Sequence, residues 1–491
     1  AEIAYYSTPY ESVDPMDKAI SGFGYQYDNE ELSLVREYEF DHDLLAMSRV
    51  FERGVNKYLI AAKGAPEAIM DLCHLSDKKM AELRLEIDKM ANKGLRIIGL
   101  AKSEFSKKKA ATSQHDYDFK FVGFLGLSDP IRPEIPESIK VCYEAGIRVI
   151  MITGDYPLTA INIAQQIGLN NYQQVISGQE LEKLSDSELS EKVKVTNIFA
   201  RIIPAQKLRI VNALKSNGEV VAMTGDGVND APALKAADIG VSMGERGTDV
   251  AREASSLVLM DDNFSSIVAA VKMGRRIYEN IRKAITYVFS IHIPIAIMSF
   301  IPPIFGMPLV LLPMHIVFME MLIDPSCSIV FEMEKEEADI MKRKPRSGKE
   351  KLFNKKMILT GSFQGLSVLI LVLLIYVIAV YKGLDDNTVR TIAFITLTVG
   401  NVGLVFTNRS DKNIFVTANR SVNKAFISVS VFATIFLLLT VYVPYLRDIF
   451  QFAILPWYLW AWPVVFGLVG VFLAEWFRLQ IIKHFSRVDA L

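Results

Sequence analysis

The sequence has few cysteines and almost no net charge, and each scarcity argues against a class of protein. Its three cysteines, Cys73, Cys142 and Cys327, lie far apart and form no CxxC pair, so neither a disulfide framework nor a cysteine metal site is expected. The net charge of −1 leaves no basic surplus of the kind that binds nucleic acid. Long hydrophobic runs are absent before about residue 284 and dominate after it. We therefore expect a cytosolic part followed by a membrane part.

The apolar part contains six segments close to the length of about 20 residues that crosses a bilayer. These candidate spans cover residues 284–304, 309–331, 357–381, 389–407, 424–444 and 457–480. Pro294 and Pro302-Pro303 are predicted to interrupt the first span. Lysines and arginines concentrate after the second and fourth spans, and the positive-inside rule places those connections in the cytoplasm. The six crossings then return the C-terminus to the cytoplasmic side, where the soluble part lies.

From about residue 119 onward, apolar runs alternate with amphipathic segments. The predicted strands cover 121–127, 148–152, 198–200, 220–223 and 239–243. The predicted helices cover 134–145, 158–167, 205–216 and 230–237. This alternation predicts a doubly wound parallel α/β sheet, whose active site lies at the carboxyl ends of its strands.

The most informative stretch is TGDGVNDAP at residues 224–232, directly after a predicted strand. It places Asp226 and Asp230 in a turn bounded by glycines. Glycines let the backbone approach a phosphate, and paired carboxylates suit a hard cation such as Mg²⁺. We interpret the stretch as a magnesium-dependent phosphate site, with Asp226 as the ligand and Asp230 as a supporting carboxylate. The alternative is a surface turn with incidental acidic residues.

Two further segments fall at strand ends. Thr153-Gly154-Asp155 offers a hydroxyl and backbone amides to a phosphoryl group. Lys207 lies just inside a helix that Pro204 begins, where its charge could neutralise phosphoryl oxygens in a transition state. Taken alone, Lys207 is typical of a surface lysine and the three-residue motif is weak. Their order and spacing together indicate a phosphotransferase site.

In these three motifs, the chain resembles the haloacid-dehalogenase-type phosphotransferases as elaborated in P-type cation-pumping ATPases. Asp129-Pro-Ile-Arg132 is similar to that family's hinge segment, and Lys63-Gly64-Ala-Pro-Glu67 is similar to its nucleotide-domain signature. The stretch 341–346, which reads MKRKPR, resembles the type II branch that includes calcium pumps. The resemblance implies an inserted α+β nucleotide-binding domain at 1–118, a haloacid-dehalogenase-like phosphorylation domain at 119–283 and a six-helix membrane domain at 284–491.

The resemblance also assigns residues to ATP and to catalysis. Asp17, Phe40, Lys63, Gly64, Arg96 and Arg132 correspond to nucleotide-binding positions, with Phe40 stacking on the adenine. Thr153, Gly154, Asp155, Lys207, Asp226, Asn229 and Asp230 correspond to catalytic positions. A planar base suits an aromatic face, and a polyphosphate suits lysine and arginine. ATP and Mg²⁺ are therefore the expected cofactors. Phe40 could instead belong to a core, and Arg96 could be a solvated charge.

The family's phosphorylated aspartate lies in the sequence DKTGT, which this chain does not contain. Covalent catalysis requires that nucleophile. We therefore expect this chain to be the C-terminal portion of a longer pump. Its actuator domain, its first four membrane helices and the nucleophile-bearing first strand of the phosphorylation domain would lie elsewhere. A degenerate, non-pumping relative is the alternative.

The second predicted span carries Glu320 and Asp324, which a helix places on one face. Carboxylates inside a bilayer usually mark an ion or proton path, although a structural pair is the alternative. Pro325 is expected to unwind the helix and free carbonyl ligands, and His292 adds a titratable group in the first span. Asn401 in the fourth span is a further candidate oxygen ligand.

Compared with type II calcium pumps, Asp324 matches a binding aspartate, whereas Glu320 and His292 replace asparagines and Ile295 replaces a glutamate. The resemblance thus implies ATP-driven transport of one divalent cation, with Ca²⁺ first and Mn²⁺ or Mg²⁺ as alternatives. A proton or monovalent-cation pump is also open, because His292 and Glu320 can titrate. The expected location is the plasma membrane, with lipid as a partner and no nucleic acid.

Overall fold

The structure, a computed structural model, describes residues 1–10, 12, 14–24, 32–41, 44–54, 56–106, 113–128, 130–320, 324–348, 350–410 and 423–488. The side chains of residues 15, 41, 324, 326 and 486–488 lie outside this description. The chain divides into two compact units, Ala1–Val268 and Ala269–Leu491. Each unit is described by itself below.

An antiparallel sheet of five sequence-ordered strands organises the first part of unit one. The strands are β1 (Ser33–Asp41), β2 (Ala46–Glu52), β3 (Tyr58–Gly64), β4 (Arg96–Phe105) and β5 (Lys120–Leu127). Four helices accompany them: α1 (Glu2–Tyr6), α2 (Pro15–Gly24), α3 (Pro66–Leu72) and α4 (Asp77–Ala91).

Helices cover both faces of this sheet. Successive side chains of a strand point to opposite faces, and β3 shows this alternation. Leu59 and Ala61 pack in a cluster with α1. Ile60 and Ala62 pack on the other face in a cluster that contains Ile69 of α3. The positions of β3 that face a helix layer are apolar from Leu59 to Ala62, and Lys63 follows them.

The sequence predicts 121–127 as the first strand of the parallel region, and that pairing is wrong. This segment is β5, and it lies antiparallel to β4 with Leu125 opposite Ile98. A short apolar run is consistent with either kind of sheet, because its local pattern does not specify its partner. The antiparallel sheet thus extends to Leu127, beyond the proposed domain boundary after residue 118.

The rest of unit one alternates helices and strands as predicted. The helices are α5 (Ile135–Glu144), α6 (Pro157–Gln166), α7 (Gly178–Glu182), α8 (Asp186–Lys192), α9 (Pro204–Ser216), α10 (Ala231–Ala236) and α11 (Asp249–Ala254). The strands are β6 (Met151–Ile152), β7 (Val175–Ser177), β8 (Ile198–Ala200), β9 (Ala222–Gly225), β10 (Ile239–Met243) and β11 (Leu257–Leu259). The four predicted helices in this region correspond to α5, α6, α9 and α10.

These strands form two parallel three-stranded sheets, ordered β6-β8-β7 and β9-β10-β11. The α/β class is confirmed, although the described strands are divided between two sheets. β6 and β9 each form an edge. Ile152 at the end of β6 and Val221 just before β9 pack in shared clusters with Ile210 and Val211 of α9. One helix therefore supports both edge strands.

Helices account for most of the second unit. They are α12 (Phe264–Ile304, which begins in the first unit), α13 (Pro313–Phe318), α14 (Asp324–Glu332), α15 (Lys355–Tyr381), α16 (Asp386–Asn408), α17 (Lys424–Tyr442), α18 (Pro444–Phe450) and α19 (Trp457–Val488). Among the described residues, α12, α15, α16, α17 and α19 are long and apolar enough to cross a membrane. The chain is therefore an integral membrane protein.

The predicted second span, 309–331, differs from the other five. It is represented by α13 and α14, and residues 321–323 between them lie outside the description. Whether 309–331 is one continuous span therefore stays a prediction. Pro325 stands in the first turn of α14, where its missing N–H costs no helical hydrogen bond.

The predicted interruption of the first span is wrong, because α12 continues through Pro294, Pro302 and Pro303. Pro294 cannot donate to the carbonyl of Ser290 four residues earlier. Neighbouring helices in a bundle tolerate such a defect. Gly365 of α15 lies so close to that Ser290 carbonyl that a Cβ there would collide with it. The glycine therefore permits close packing at the defect, as small residues do between membrane helices.

Several charged side chains of unit two are buried in ion pairs. Arg409 pairs with Glu334 at 2.8 Å, and Lys283 pairs with Glu337 at 3.7 Å. Arg478 pairs with Glu475 at 2.7 Å within α19. The positive-inside rule predicts that the connections near residues 409 and 478 are cytoplasmic, and the structure adds that both arginines are almost fully buried.

Candidate functional site

The loop after β9 holds two of the predicted catalytic carboxylates. Asp230 is buried, and both of its carboxylate oxygens are engaged. Oδ2 accepts hydrogen bonds from the backbone N–H groups of Asp226 and Gly227 at 3.3 and 3.4 Å. Oδ1 lies 2.5 Å from Nζ of Lys207. A Cβ at residue 225 would lie 2.5 Å from Cβ of Asp230, so glycine is required there.

Asp226 and Asn229 are exposed. The Asp226 carboxylate makes no hydrogen bond or ion pair with any residue that the structure describes, whereas its backbone carbonyl accepts from Thr248 N–H at 2.9 Å. Asp230 therefore fixes the loop and orients Lys207, and Asp226 is left available to a ligand. The roles predicted from the sequence, Asp226 as magnesium ligand and Asp230 as supporting carboxylate, stay predictions that this geometry allows.

The loop after β6 places Thr153, Gly154 and Asp155. The Thr153 hydroxyl donates to Oδ2 of Asp155 at 3.0 Å and accepts from the Asp155 backbone N–H at 3.0 Å. The Thr153 backbone N–H donates to the carbonyl of Phe199 in β8 at 2.9 Å, which extends the sheet pairing. Gly154 is exposed, and a Cβ there would meet nothing within 4 Å. A phosphoryl group that binds Thr153 must therefore exchange with Asp155.

Two arginines connect this loop with the antiparallel part of unit one. Arg96 of β4 lies 3.5 Å from Asp155. Arg201, which follows β8, lies 3.0 Å from Glu67 of α3 and stacks its guanidinium over the Tyr156 ring. Arg201 has φ of 56°, an unusual conformation for a residue other than glycine. The sequence analysis did not single out Arg201, although its position after a parallel strand was a usable signal.

The predicted nucleotide-binding residues are only partly brought together. Lys63 of β3 is buried, and its Nζ contacts the Asp17 carboxylate and, at 3.1 Å, the Thr8 hydroxyl. Burial lowers the pKa of Lys63, and the neighbouring Asp17 opposes that shift. The Lys63 ammonium is thus committed to the α1–α2 segment. Asp17 and Lys63 form one group, whereas Arg96 belongs to the group around Asp155.

Phe40 and Gly64 lie at the open end of the first three strands. Phe40 of β1 has half of its surface exposed, which suits stacking on a flat ligand. Gly64 ends β3, where a Cβ would lie 2.6 Å from the carbonyl of Leu45. Only glycine fits at this position, because the two backbones approach each other closely. This geometry explains the glycine without a ligand.

Arg132, predicted in a nucleotide-binding role, instead contacts the end of the β11 segment. Its Nη1 donates to the backbone carbonyl of Asp262 at 2.6 Å. Asp129 of the same motif lies outside the described residues. The Asp262 carboxylate accepts from the backbone N–H groups of Gly244, Glu245 and Arg246 at 2.7, 3.1 and 2.9 Å. Burial alone would raise the pKa of Asp262, but these donors outweigh it and hold the pKa below its usual range.

Replacing Asp262 with asparagine is expected to lower the free energy of unfolding by about 1–3 kcal/mol at pH 7. The asparagine amide has a single oxygen, which cannot accept all three N–H donors that the two carboxylate oxygens accept. A depressed pKa contributes stability above the unfolded pKa, and that contribution is lost as pH falls through the folded value. The deficit should therefore shrink below about pH 4. Denaturant titrations at several pH values measure it, with Asp71→Asn, at an exposed carboxylate of α3, as the control. A deficit that is independent of pH would contradict the prediction.

The predicted ion site joins α12 to the end of α13. His292 Nε2 lies 3.1 Å from Oε1 of Glu320, and both side chains are partly exposed. His292 Nδ1 lies 2.7 Å from the Val288 carbonyl, which can only accept, so Nδ1 carries a hydrogen. Nε2 of His292 and Oε1 of Glu320 are thus within hydrogen-bond distance of each other.

Asn401 of α16 is fully buried, and its Nδ2 lies 3.8 Å from Sδ of Met319, the neighbour of Glu320. Its Oδ1 has no hydrogen-bond partner among the described residues. A buried amide oxygen without a donor is costly unless a cation or water satisfies it. The side chain of Asp324 lies outside the description. The structure thus brings His292 and Glu320 together, with Asn401 beside the residue that precedes Glu320.

Comparison with known proteins places this geometry in a family. Residues 50–238 match the family model of haloacid dehalogenase-like hydrolases, and residues 308–480 match that of the C-terminus of cation transporting ATPases. A calcium-transporting ATPase of Bacillus subtilis (strain 168) is 36% identical over 478 residues, which cover 93% of this chain and 53% of that protein. The chain belongs to the type II P-type cation-transporting ATPases.

Other relatives of this P-type ATPase chain agree. Calcium-transporting ATPase 1 of Lactococcus lactis subsp. lactis (strain IL1403) is 33% identical over 473 residues, 92% of this chain and 53% of that protein. Calcium-transporting ATPase 1 of Saccharomyces cerevisiae (strain ATCC 204508 / S288c) is 39% identical over 313 residues, 60% of this chain and 33% of that protein. The chain spans about half the length of the bacterial relatives that it matches. The family predicted from the motifs is confirmed.

The β9 loop of the P-type ATPase chain suits the Mg²⁺ that the family implies. Mg²⁺ in phosphate sites is held by one or two carboxylates together with phosphate oxygens and waters. Asp226 supplies an exposed carboxylate that the described residues leave unbonded. Asp230 cannot serve in the same way without releasing Lys207. The loop therefore offers Mg²⁺ one direct protein ligand, Asp226, while Asp230 holds the loop in position beside it.

Proposed function

We propose that the complete protein is an ATP-driven pump that exports a cation, Ca²⁺ first among candidates, through an aspartyl-phosphate intermediate. The observation that carries this proposal is the Lys207–Asp230 pair, which lies beside the exposed Asp226 at the end of a parallel strand. That arrangement suits phosphoryl transfer, in which catalysis depends on positioning and on neutralising charge. The relatives named as calcium-transporting ATPases support the choice of Ca²⁺.

In this proposal the phosphorylated aspartate belongs to a segment outside this chain. β6 and β9 are edge strands over one helix, and their loops carry Thr153 and Asp226. A strand inserted between them would bring its carboxyl end to both loops. The remainder of the pump, including the actuator domain and the first four membrane helices, would then be a required partner.

Lys207 would neutralise the transferring phosphoryl group, and Thr153 and Gly154 would hold its oxygens through a hydroxyl and a backbone amide. Asp226 would hold Mg²⁺, which shields phosphate charge when bound. Phe40 would stack on the adenine of ATP, and Arg96 would reach its phosphates after leaving Asp155. Lys63 would act indirectly, because its ammonium holds Asp17 and Thr8.

The transported cation would bind through oxygen ligands from Glu320, Asp324 and Asn401. A single divalent ion fits this small set better than two. The soluble unit and the C-terminus would face the cytoplasm, and the proposed location is the plasma membrane. A proton or monovalent-cation pump is the second candidate, which the contact between the side chains of His292 and Glu320 favours.

Ion-dependent phosphorylation of the complete protein tests this proposal. Phosphoenzyme formed from labelled ATP should rise with Ca²⁺ when Ca²⁺, Mn²⁺, Mg²⁺, Na⁺ and K⁺ are varied in turn. Glu320→Gln and Asp324→Asn should each abolish that dependence, because each removes a charged ligand. Glu332→Gln, at an exposed glutamate of α14, is the matched control. Phosphorylation that is indifferent to every cation, or a dependence that survives both substitutions, would contradict the proposal.

A further inference from the structure

The connection between α12 and α13 is fixed by buried side chains of the helices around it. The Tyr376 hydroxyl of α15 donates to the carbonyl of Pro308 at 2.7 Å. Nε of Arg390 in α16 donates to the carbonyl of Leu309 at 3.2 Å. The two following residues, Val310 and Leu311, are buried. The segment 308–311, which leads into α13, therefore cannot move far without breaking these hydrogen bonds.

His315, in the first turn of α13, fixes the helix itself. Its Nδ1 accepts from the backbone N–H of Leu312 at 2.9 Å, and its Nε2 lies 2.8 Å from the carbonyl of Phe450. An N–H donor on one side and a carbonyl on the other permit a single neutral tautomer, with the hydrogen on Nε2. The ring is fully buried and stacks on Phe452 with centroids 4.9 Å apart. His315 thus caps α13 and connects it to the end of α18.

Arg390 completes the arrangement from the other side. Its Nη1 donates to Oδ1 of Asn387 at 2.9 Å and to the carbonyl of Gln451 at 3.0 Å. Its side chain is buried, and the description records no carboxylate within ion-pair distance of it. A buried guanidinium satisfied by neutral oxygens is costly compared with an apolar residue. Arg390 nevertheless joins Leu309 to Gln451, and Gln451 is next to Phe450, whose carbonyl His315 contacts.

The helix held in this way leads directly to the ion site. α13 is only six residues long, and Glu320 lies two residues beyond its last residue. A short helix fixed at its first turn transmits any tilt to its last turn, because its backbone hydrogen bonds keep it rigid. The contact of 3.1 Å between Glu320 and His292 depends on where α13 ends.

We propose that Tyr376, Arg390 and His315 form a loop clamp that positions Glu320 for the transported cation. These three are positioning residues, since they act through α13 and do not touch the ion. The inference rests on the proposed pump function. It adds that the apparent affinity for the cation is set by hydrogen bonds to the α12–α13 connection and to the end of α18.

His315→Leu removes both hydrogen bonds and keeps an apolar side chain, whereas His315→Gln keeps an acceptor for Leu312 N–H and a donor for Phe450. Glutamine is a common residue at this third helical position, where it caps the N-terminus. In the complete protein, His315→Leu should raise the Ca²⁺ concentration for half-maximal phosphorylation about tenfold, and His315→Gln should stay within about threefold. His484→Leu, at an exposed histidine, is the control.

Thermal unfolding of each variant separates positioning from stability. A His315→Leu protein that is less stable yet keeps the wild-type Ca²⁺ requirement would overturn the loop clamp. Equal defects in His315→Leu and His315→Gln would also overturn it, because the hydrogen bonds would then be irrelevant. Should His315→Leu fail to fold, Tyr376→Phe removes one hydroxyl only and should raise the Ca²⁺ requirement about two- to threefold. An unchanged requirement in that variant would count against the proposal.

If the complete protein shows no cation-dependent phosphorylation, that result refutes the pump function itself. A measurement of distance tests the loop clamp independently of that outcome. A short bifunctional thiol-reactive cross-linker should join cysteines introduced together at positions 292 and 320 readily, since the native side chains meet at their tips. Adding His315→Leu to this pair should slow the cross-linking at least about fivefold if α13 is displaced. An unchanged rate would overturn the clamp whatever the protein transports.

Discussion

Lys207→Ala is expected to slow phosphorylation of the complete protein by at least about a hundredfold, because it removes a preorganised cation from the transferring phosphoryl group. The Lys207 side chain is only one-fifth exposed, so water replaces its charge poorly. Loss of Lys207 also leaves the buried Asp230 carboxylate without its ion-pair partner. That carboxylate holds the backbone of Asp226, so the magnesium ligand should shift as well.

Rapid-quench measurement of phosphoenzyme formation at saturating ATP and Ca²⁺ tests this prediction. Lys215→Ala, about two turns further along α9, makes the same charge change in a lysine that pairs with Asp238 at 3.2 Å. It should stay within about threefold, as expected for a partly exposed ion pair. ATP binding, measured separately, should be nearly unchanged in both variants. A wild-type rate in Lys207→Ala would remove Lys207 from the catalytic site.

The predictions that the structure confirms concern patterns within a single segment. The helix predicted at 205–216 is α9 (Pro204–Ser216), and the strand predicted at 239–243 is β10. Pro204 begins the first, and an uninterrupted apolar run defines the second. Both signals are local, so a sequence contains them. The placement of Asp226 and Asp230 in one glycine-bounded turn was equally accessible, whereas their roles stay predictions.

The predictions that fail depend on partners distant in sequence. The apolar pattern of 121–127 specifies a strand but not its antiparallel pairing with β4. A proline in a membrane helix predicts a break, yet Gly365 of another helix accommodates Pro294. The commitment of Lys63 to Asp17 was also invisible, because 46 residues separate them. Such contacts are decided by tertiary packing, which overrides local preference.

The charges near the ends of α16 and α19 show the same limit most clearly. Counting lysines and arginines places Arg409 and Arg478 on the cytoplasmic side but does not say whether either side chain is buried. The structure buries both, each with a glutamate. Burial of a charge is tolerated only when its hydrogen bonds are made, so these pairs have energetic consequences that a loop charge lacks.

Glu475→Leu is accordingly expected to destabilise the second unit by about 3–5 kcal/mol, since it removes a two-point carboxylate contact from a buried guanidinium. Nε and Nη2 of Arg478 each lie 2.7 Å from one oxygen of Glu475, a two-point contact in which both side chains are at most 5% exposed. Nη1 of Arg478 donates to the carbonyl of Ser410 at 2.6 Å, so the pair also connects α19 to the chain just after α16.

Adding Arg478→Met to Glu475→Leu should recover most of the lost stability, because an apolar pair of similar volume avoids the desolvation cost of both charges. Chemical unfolding in a fixed detergent measures the wild type, both single variants and the double variant as one cycle. Glu350→Ala, which breaks a partly exposed pair with Arg282, should cost less than about 1 kcal/mol. A double variant as unstable as Glu475→Leu would mean that the ion pair itself stabilises the junction of α16 and α19. Recovery would show that folding does not need the charges of Glu475 and Arg478. Their role would then be a function that needs polar contacts at the end of α16.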